Sequence, residues 1–420
     1  MQLPTPPPPH EAAGDATLAW VAEHLGDLTL EGPDAVRRGG HVGGQTAADA
    51  ALASLDISGY ARRRSVVLPV SGRGATRMSP YLRHGLVPLP EMWKAVAGAP
   101  AHDRDKYRDE LLWQEYSRHL YARTGAALGR SIKHEQPRVG PAWPEPWPAE
   151  MACMEAVVGE LEGEGWLVNQ TRMWLASQWA VRAGADWRDG EDLFFQHLLD
   201  GSRAANRLGW QWTVGTGNGR PYGFSRWQVE KRAKALCRSC QLSSACPIED
   251  WPETGDLPRV DGPDLGKDGF DGGPAEVQGG GAEQVWLTAE SLGDADPALA
   301  ADDDRPAVFV FDEPLLRTLR LSGKRLVFLA DTLGDLATRR EVEVRRGVVA
   351  QELAGRSLAV THAPVPGFRA RAAQVQPQEV HPWLWLVRPR PSAVGSFTAW
   401  RRSSGAPAQA SPPRGRGRRR

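Results

Sequence analysis

Through most of the first 250 residues apolar side chains recur three and four positions apart, the spacing that gathers them on one side of a helix. The stretches Asp105 to Tyr121 (DKYRDELLWQEYSRHLY), Met151 to Glu162 and Gly165 to Ala183 show it most plainly, and no strand ladder interrupts them. After residue 284 the pattern changes. VWL, AVFVF at 307–311, VEVRRG at 342–347 and LAVTHA at 358–363 are short β-rich runs, separated by helical segments such as Gly323 to Arg340. Such alternation of β and α elements predicts a parallel, Rossmann-like sheet. The expected fold class is therefore α plus α/β, multidomain, with an all-helical domain first and an α/β domain second.

Punctuation in the chain sets the expected boundaries. Residues 1–14 carry a run of four prolines, which favours extended geometry without a core, and are read as a disordered N-terminus. The helical domain covers 15–252. Residues 253–283 are rich in glycine and aspartate with almost no apolar periodicity, the composition of a linker. The α/β domain covers 284–402, and 403–420 form a basic, disordered tail.

Composition sharpens this picture in three places. A hydrophobic content of 41% in 420 residues is enough for ordinary cores and excludes a disordered protein. The 17 Trp against 6 Tyr and 9 Phe invert the usual ratio and suggest stacking surfaces or an electron path. Formal charge is zero, but the last twenty residues hold seven Arg and no acid. No apolar run approaches the ~20 residues needed to span a bilayer, and the start lacks a basic and apolar leader, so a cytoplasmic, monomeric protein with no membrane partner is expected. In a reducing compartment its four Cys read as metal ligands or free thiols. Cys237, Cys240 and Cys246 form C-x2-C-x5-C-P and Cys153 stands apart; four thiolates suit zinc or an iron-sulfur cluster equally.

The chemistry-bearing motifs are GATRMSPYLRHGL (74–86), ELLWQEYSRHL (110–120), N-x-x-R-M (169–173), D-W-R-D-G (186–190) and D-G-x-x-A-A-N-x-x-G-W-Q-W (200–212). Taken singly, each has a plain structural explanation. The S-P step reads as a helix N-cap, Arg172 and Asp200 as a bridge between helices, and Trp113 as a buried helix tryptophan. Asn169, Arg172 and Met173 share one helix face at i, i+3 and i+4.

Together the motifs resemble the photolyase/cryptochrome family. The resemblance implies FAD held in a helical cup, with Tyr60, Thr76, Arg77 and Ser79 beside the pyrophosphate and Arg172, Asp200 and Asn206 around the flavin ring. It implies a lesion pocket of Glu110, Trp113, Asn169, Met173 and Trp212, and an electron path through Trp210 and Trp187 with Trp143 or Trp147 as outer candidates. Cys153, Cys237, Cys240 and Cys246 resemble the iron-sulfur bacterial branch of the family, which implies a [4Fe-4S] cluster. The family places its α/β antenna domain first. VWLTAESLGDADPAL (285–299), VFVFDEPLL (308–316) and SFTAWRR (396–402) resemble parts of that domain yet follow the helical one, so the order reads as a circular permutation. The family's opening R-R-D-L-R run is missing, which argues against an antenna chromophore.

The chain departs from the family at Ser202, where a second acid is usual, at Gln114, where Arg is typical, and at Val168, where a repair histidine would stand. The function implied is light-dependent splitting of cyclobutane pyrimidine dimers in UV-damaged DNA, a carbon-carbon lyase reaction. Two alternatives remain: a cryptochrome-like photoreceptor without repair, and a nucleic-acid-binding iron-sulfur protein with a vestigial flavin site.

Overall fold

The computed structural model describes residues 1–9, 16–137, 145–266, 272–390 and 394–407. The basic tail from 408 onward and Trp143 lie outside these residues. The helices that carry the argument are α1 (Ala16–Leu25), α2 (Ser79–Arg83), α3 (Ala101–Thr124), α4 (Ala152–Glu164), α5 (Asn169–Ala176), α6 (Trp187–His197), α7 (Arg203–Thr213), α8 (Arg226–Ser239), α9 (Gly323–Ala337) and α10 (Phe397–Ser403). Helices fill the first 250 residues as their periodicity predicts, with local signals at their ends. Ser225 and Gln228 form a reciprocal capping box on α8. Gly165 ends α4 at φ 66°, where a Cβ would come within 2.8 Å of Lys324 Cε, so the position needs glycine for both conformation and space.

The strands are β1 (Gln2–Leu3), β2 (Gln278–Gly279), β3 (Gln284–Leu287), β4 (Ala307–Asp312), β5 (Val342–Gly347), β6 (Leu358–Thr361) and β7 (Glu379–His381). They form one sheet in the order β1-β5-β4-β3-β6-β7-β2. The inner five, β3 to β7, are parallel, and the two edge strands run antiparallel. Numbered among themselves, the parallel strands run 3-2-1-4-5, the doubly wound arrangement in which ligands meet the sheet outside the carboxyl ends of the strands where the order reverses. Here that reversal lies between β3 and β6.

Two expectations about the chain's organisation are corrected. Gln2 and Leu3, expected in a disordered arm, pair with Arg345 and Val344 of β5, and Leu3 is buried. Helix α1, assigned to the helical domain, packs on α9 beside the sheet: Trp20, Val21 and Leu25 share one apolar cluster with Phe311, Phe328 and Val344. Hydrophobic burial accounts for both cases, since Leu3 and the inner face of α1 are covered by this cluster. The same cluster takes in Tyr81, Met92 and Leu111, so one core runs continuously from the helices into the sheet. Helix α9 is its axis, buried from Gly323 to Leu336.

Two buried imidazoles act as acceptors. His119 Nδ1 accepts from Trp400 Nε1 at 2.9 Å, and His197 Nδ1 accepts from the Lys324 ammonium at 3.0 Å. Burial lowers both pKa values, to about 4 for His119 and about 3 for His197, where Lys324 adds its repulsion. Folded values below the unfolded ~6.5 mean that the unfolded chain takes up protons first as pH falls. The stabilisation is present above pH ~6.5 and is lost as pH falls toward the folded values, by up to about 1.4 kcal/mol per pH unit for each ring. Thermal melts between pH 7 and 4 are expected to show a steady fall in Tm, smaller in His119→Gln; a flat profile overturns this.

Candidate functional site

The main cavity lies between the helical half and the carboxyl ends of the parallel strands. Helix α2 supplies Ser79 and Arg83, α3 supplies Gln114, Ser117 and Arg118, α5 supplies Arg172, and the start of α7 with the residues before it supplies Asp200, Ser202 and Asn206. The sheet contributes Glu290, which follows β3, and Pro364 and Val365, which follow β6, with Trp383 after β7. The cavity therefore sits over the reversal point of the strand order.

Its wall is preorganised. Arg172 donates to both carboxylate oxygens of Asp200, at 3.1 and 2.7 Å, the forked geometry that fixes a guanidinium in one plane. Burial pushes the Asp200 carboxyl up, but the Arg172 guanidinium and bonds from Arg172 and Ser79 hold it below the usual carboxylate range. Ser79 Oγ in turn accepts from Trp166 Nε1 at 3.0 Å. Arg83 pairs with Glu290 at 2.7 Å, tying the helical half to the sheet. Asn206 Nδ2 is buried with no hydrogen-bond partner, a state costing about 1–3 kcal/mol that a ligand acceptor would relieve. With both carboxylates paired, Arg118 leaves the wall one positive charge in excess, which suits an anionic ligand.

Ser202 explains one departure from the expected pattern. It is the N-cap of α7, its Oγ accepting from the Ala205 backbone N–H at 3.4 Å, so the capping function of an acid is retained without the charge.

Four of the expected cofactor residues thus meet in the cavity: Ser79, Arg172, Asp200 and Asn206. The other three are engaged beside it. Thr76 Oγ1 lies 3.1 Å from Tyr107 Oη, and Tyr60 meets Tyr107 edge to face at 4.9 Å. Arg77 holds φ 58° and donates to Gly40 O at 2.9 Å and to Glu164, with its guanidinium 4.8 Å above the Trp166 ring.

The five residues expected around a lesion are dispersed in their contacts. Glu110 pairs with Lys106 at 2.9 Å and Arg64 at 3.3 Å. Trp113, expected to offer a stacking face, is stacked instead on Phe397 of α10, with centroids 3.9 Å apart and planes within 11°. It faces the flank of α3 that α10 covers, along with Tyr116, whose hydroxyl donates to Val394 O. Asn169 is exposed at the start of α5, Met173 is half-buried, and Trp212 is exposed beside Tyr222 at 5.6 Å. The cavity meets α3 through Gln114, Ser117 and Arg118 rather than through Glu110 and Trp113.

Trp210 and Trp187 are both buried. Trp210 touches Phe194 at 5.0 Å, Phe194 lies 6.2 Å from Trp147, and Trp147 lies 4.8 Å from Trp179, an unbroken run of rings. Gly190 of the D-W-R-D-G motif packs against the Trp210 ring so closely that a Cβ would overlap it. Gly190→Ala is expected to lower stability by about 1–3 kcal/mol through overpacking and to shift the Trp210 fluorescence; an unchanged melt overturns this.

All four cysteines line one cleft between α4 and α8, with Met151, Val229 and Ile248. Burial and the neighbouring sulfurs push the Cys153 thiol up to about 12. Among the described residues no three His, Cys, Asp or Glu side chains converge closely enough to hold a single ion.

Sequence reasoning missed Arg83, Glu290, Trp383 and the Trp179 end of the ring series. Glu290 had a signal, as an acid just past the first predicted strand, but its position needs the strand order.

Residues 107–234 match the FAD binding domain of DNA photolyase. Similar curated proteins include the deoxyribodipyrimidine photo-lyases of Synechococcus, 32% identical over 160 residues (34% of this chain and 33% of that one), and Thermus thermophilus, 32% over 191 residues (41% and 44%). That of Halobacterium salinarum is 28% identical over 239 residues (52% and 49%). The chain spans about a third of the length of the first of these relatives. Among solved structures, a class III photolyase from Agrobacterium tumefaciens shares 25% identity with a TM-score of 0.39 over 46% of this chain and 44% of its own. A Synechocystis cryptochrome shares 21% identity with a TM-score of 0.41, over 48% and 47%. Among the described residues no helix is long and apolar enough to cross a membrane. The matched segment contains α5 with Arg172, the Asp200 turn and α7 with Asn206, so the cavity and the likeness to the FAD binding domain of DNA photolyase coincide on the same residues.

Proposed function

We propose that this protein is a light-dependent DNA-repair flavoprotein that splits cyclobutane pyrimidine dimers. The observation that carries this reading is the cavity wall formed by the forked Arg172–Asp200 pair and the buried, unpartnered Asn206 Nδ2. These residues fit FAD. Asn206 would meet an acceptor on the ring edge, Asp200 and Arg172 would orient the ring, and Ser79, Arg83 and Arg118 would meet the diphosphate. Thr76, Arg77 and Tyr60 would join them by leaving their present partners. When bound and reduced, FAD supplies the photoexcited electron that opens the dimer's ring, and the electron returns at the end. The chain's own work is to hold the ligand, exclude water and present the lesion.

UV-damaged DNA is the partner on this reading, with Glu110, Trp113, Asn169, Met173 and Trp212 as lesion contacts. Trp113 must part from Phe397 to stack on a base. The electron path would enter at Trp210, with Trp187 or the Phe194–Trp147–Trp179 run beyond it. The four cysteines line one cleft, a set of thiols that suits a [4Fe-4S] cluster or a single zinc, and the likeness to the iron-sulfur branch favours the cluster. Anaerobically purified protein is expected to carry about four irons per chain, and Cys153→Ser to lose most of them; about one zinc per chain overturns the cluster. The five parallel strands β3 to β7, with their family-like segments, all follow the helices that line the cavity, which supports the permuted order.

The photoreceptor reading is favoured by one observation, the Phe397 ring on Trp113. Light-dependent reversal of a thymine dimer in a defined oligonucleotide, using reduced protein with a dark control, separates the two. Reversal in light alone supports repair; flavin-loaded protein with no reversal sinks it for this lesion.

A further inference from the structure

Helix α6 ends at His197, and its last carbonyls are capped by the start of a helix far along the chain. The Gln196 carbonyl accepts from the Ser322 backbone N–H at 3.0 Å, and the Phe195 carbonyl accepts from the Arg325 guanidinium. Ser322 is the N-cap of α9 and Arg325 lies in its first turn. Carbonyls at a helix C-terminus need partners, which water or a local glycine turn usually supplies. Here a buried charge supplies one. Arg325 is 6% exposed and pairs with no carboxylate among the described residues.

The same guanidinium reaches the cavity turn. Arg325 Nη2 donates to the Gly201 carbonyl at 3.3 Å, and Arg83 Nε donates to the same oxygen at 2.8 Å. Gly201 lies between Asp200 and Ser202, both part of the cavity wall. One carbonyl is thus clasped by two guanidinium groups, from α2 on one side and α9 on the other. The fit is close: a Cβ on Gly201 would meet Arg325 Nη1 at 3.0 Å and the Leu198 carbonyl at 2.8 Å. Phe195 is the platform, with the Arg325 guanidinium 4.6 Å and that of Arg203 4.1 Å from its ring.

A neutral amide would cap these carbonyls without the desolvation that a buried cation costs. Burial, with repulsion from Arg83 and Arg203, pushes Arg325 down to about 9, while Asp200 and Glu290 favour its charge. It therefore stays charged at neutral pH, one residue from the carboxylate that Arg172 holds. Its neighbour Lys324 is buried at the same junction but meets other partners, the Glu162 carbonyl at 2.9 Å and His197 Nδ1 at 3.0 Å.

We propose that Arg325 is a positioning residue of the flavin cavity, fixing the Asp200 turn through the Gly201 carbonyl and placing a positive charge beside it from the sheet half. The inference rests on the flavin reading and deepens it: the α/β half serves the cofactor site directly, through the first turn of α9.

Three variants test this. Arg325→Gln keeps donors without the charge, Arg325→Lys keeps the charge on a single head that does not bridge both carbonyls, and Lys324→Met disturbs the junction without touching Gly201. The readouts are hydrogen exchange of amides 198–206 in the flavin-free chain and the reduction potential of bound FAD. In Arg325→Gln, exchange is expected to rise about tenfold or more, as loss of a charge-assisted bond predicts. Its potential is expected to shift negative, since a nearby positive charge favours the electrons a flavin gains. Arg325→Lys is expected to exchange roughly threefold faster with a potential close to the wild type, and it carries the test if Arg325→Gln does not fold. Lys324→Met is expected to lower Tm while both readouts stay at wild-type values. Wild-type exchange and potential in both Arg325 variants, or the same changes in Lys324→Met, overturn the proposal. A wild type that takes up no FAD counts against the flavin reading, and the exchange contrast then decides the clasp.

Discussion

Asp200→Asn is expected to purify almost free of flavin and to melt well below the wild type. Its carboxylate is buried and bound in a fork by Arg172, itself only 20% exposed. Removing one partner of such a pair leaves the other charge uncompensated, at about 3–5 kcal/mol. The loss falls on the cavity, because the same pair orients α5 against the turn before α7 and Ser79 bonds to the same carboxylate. A control sits two residues away: Ser202→Ala removes only an N-cap, costing about 1 kcal/mol, and is expected to keep its flavin. The check is flavin absorbance per protein together with Tm. Full flavin content in Asp200→Asn would remove the cavity from the argument for FAD.

Trp210→Phe is expected to slow photoreduction of the oxidised flavin by about tenfold or more, ~1.4 kcal/mol in barrier terms, without changing flavin content. Trp210 is buried at 2% and is the ring through which Phe194, Trp147 and Trp179 connect to α7. Starting from chemically reduced protein, the same variant is expected to reverse thymine dimers at the wild-type rate, since no external electron is then required. Trp147→Phe and Trp187→Phe distinguish the two routes outward: whichever slows photoreduction carries the electron. Normal photoreduction in Trp210→Phe would exclude this residue as the entry point.

The helices and the parallel sheet were legible because each depends on a local period: three to four residues in α3, and short β-branched runs in β4 and β5. The cavity pair was legible too, since Arg172 and Asp200 belong to distinctive motifs. What could not be read are contacts that join distant segments. Nothing near Gln2 signals that it pairs with Arg345, and nothing in α1 names α9 as its partner. Trp113 carries the same lesson at the site. Its helix was correctly expected, but the ring that takes its face comes from α10, some 280 positions later in the chain. Glu290 and Trp383 enter the cavity only because the strand order turns at β3 and β6. Such positions are fixed by which surfaces remain to be buried once local structure has formed.

The docking of α1 on α9 has a consequence during synthesis. Trp20, Val21 and Leu25 leave the ribosome about three hundred residues before the helix that covers them. At roughly 5–20 residues per second, that apolar face waits about 15–60 s for its partner. The nascent chain is thus expected to depend on holding chaperones through that interval, and its yield to improve when elongation is fast relative to aggregation.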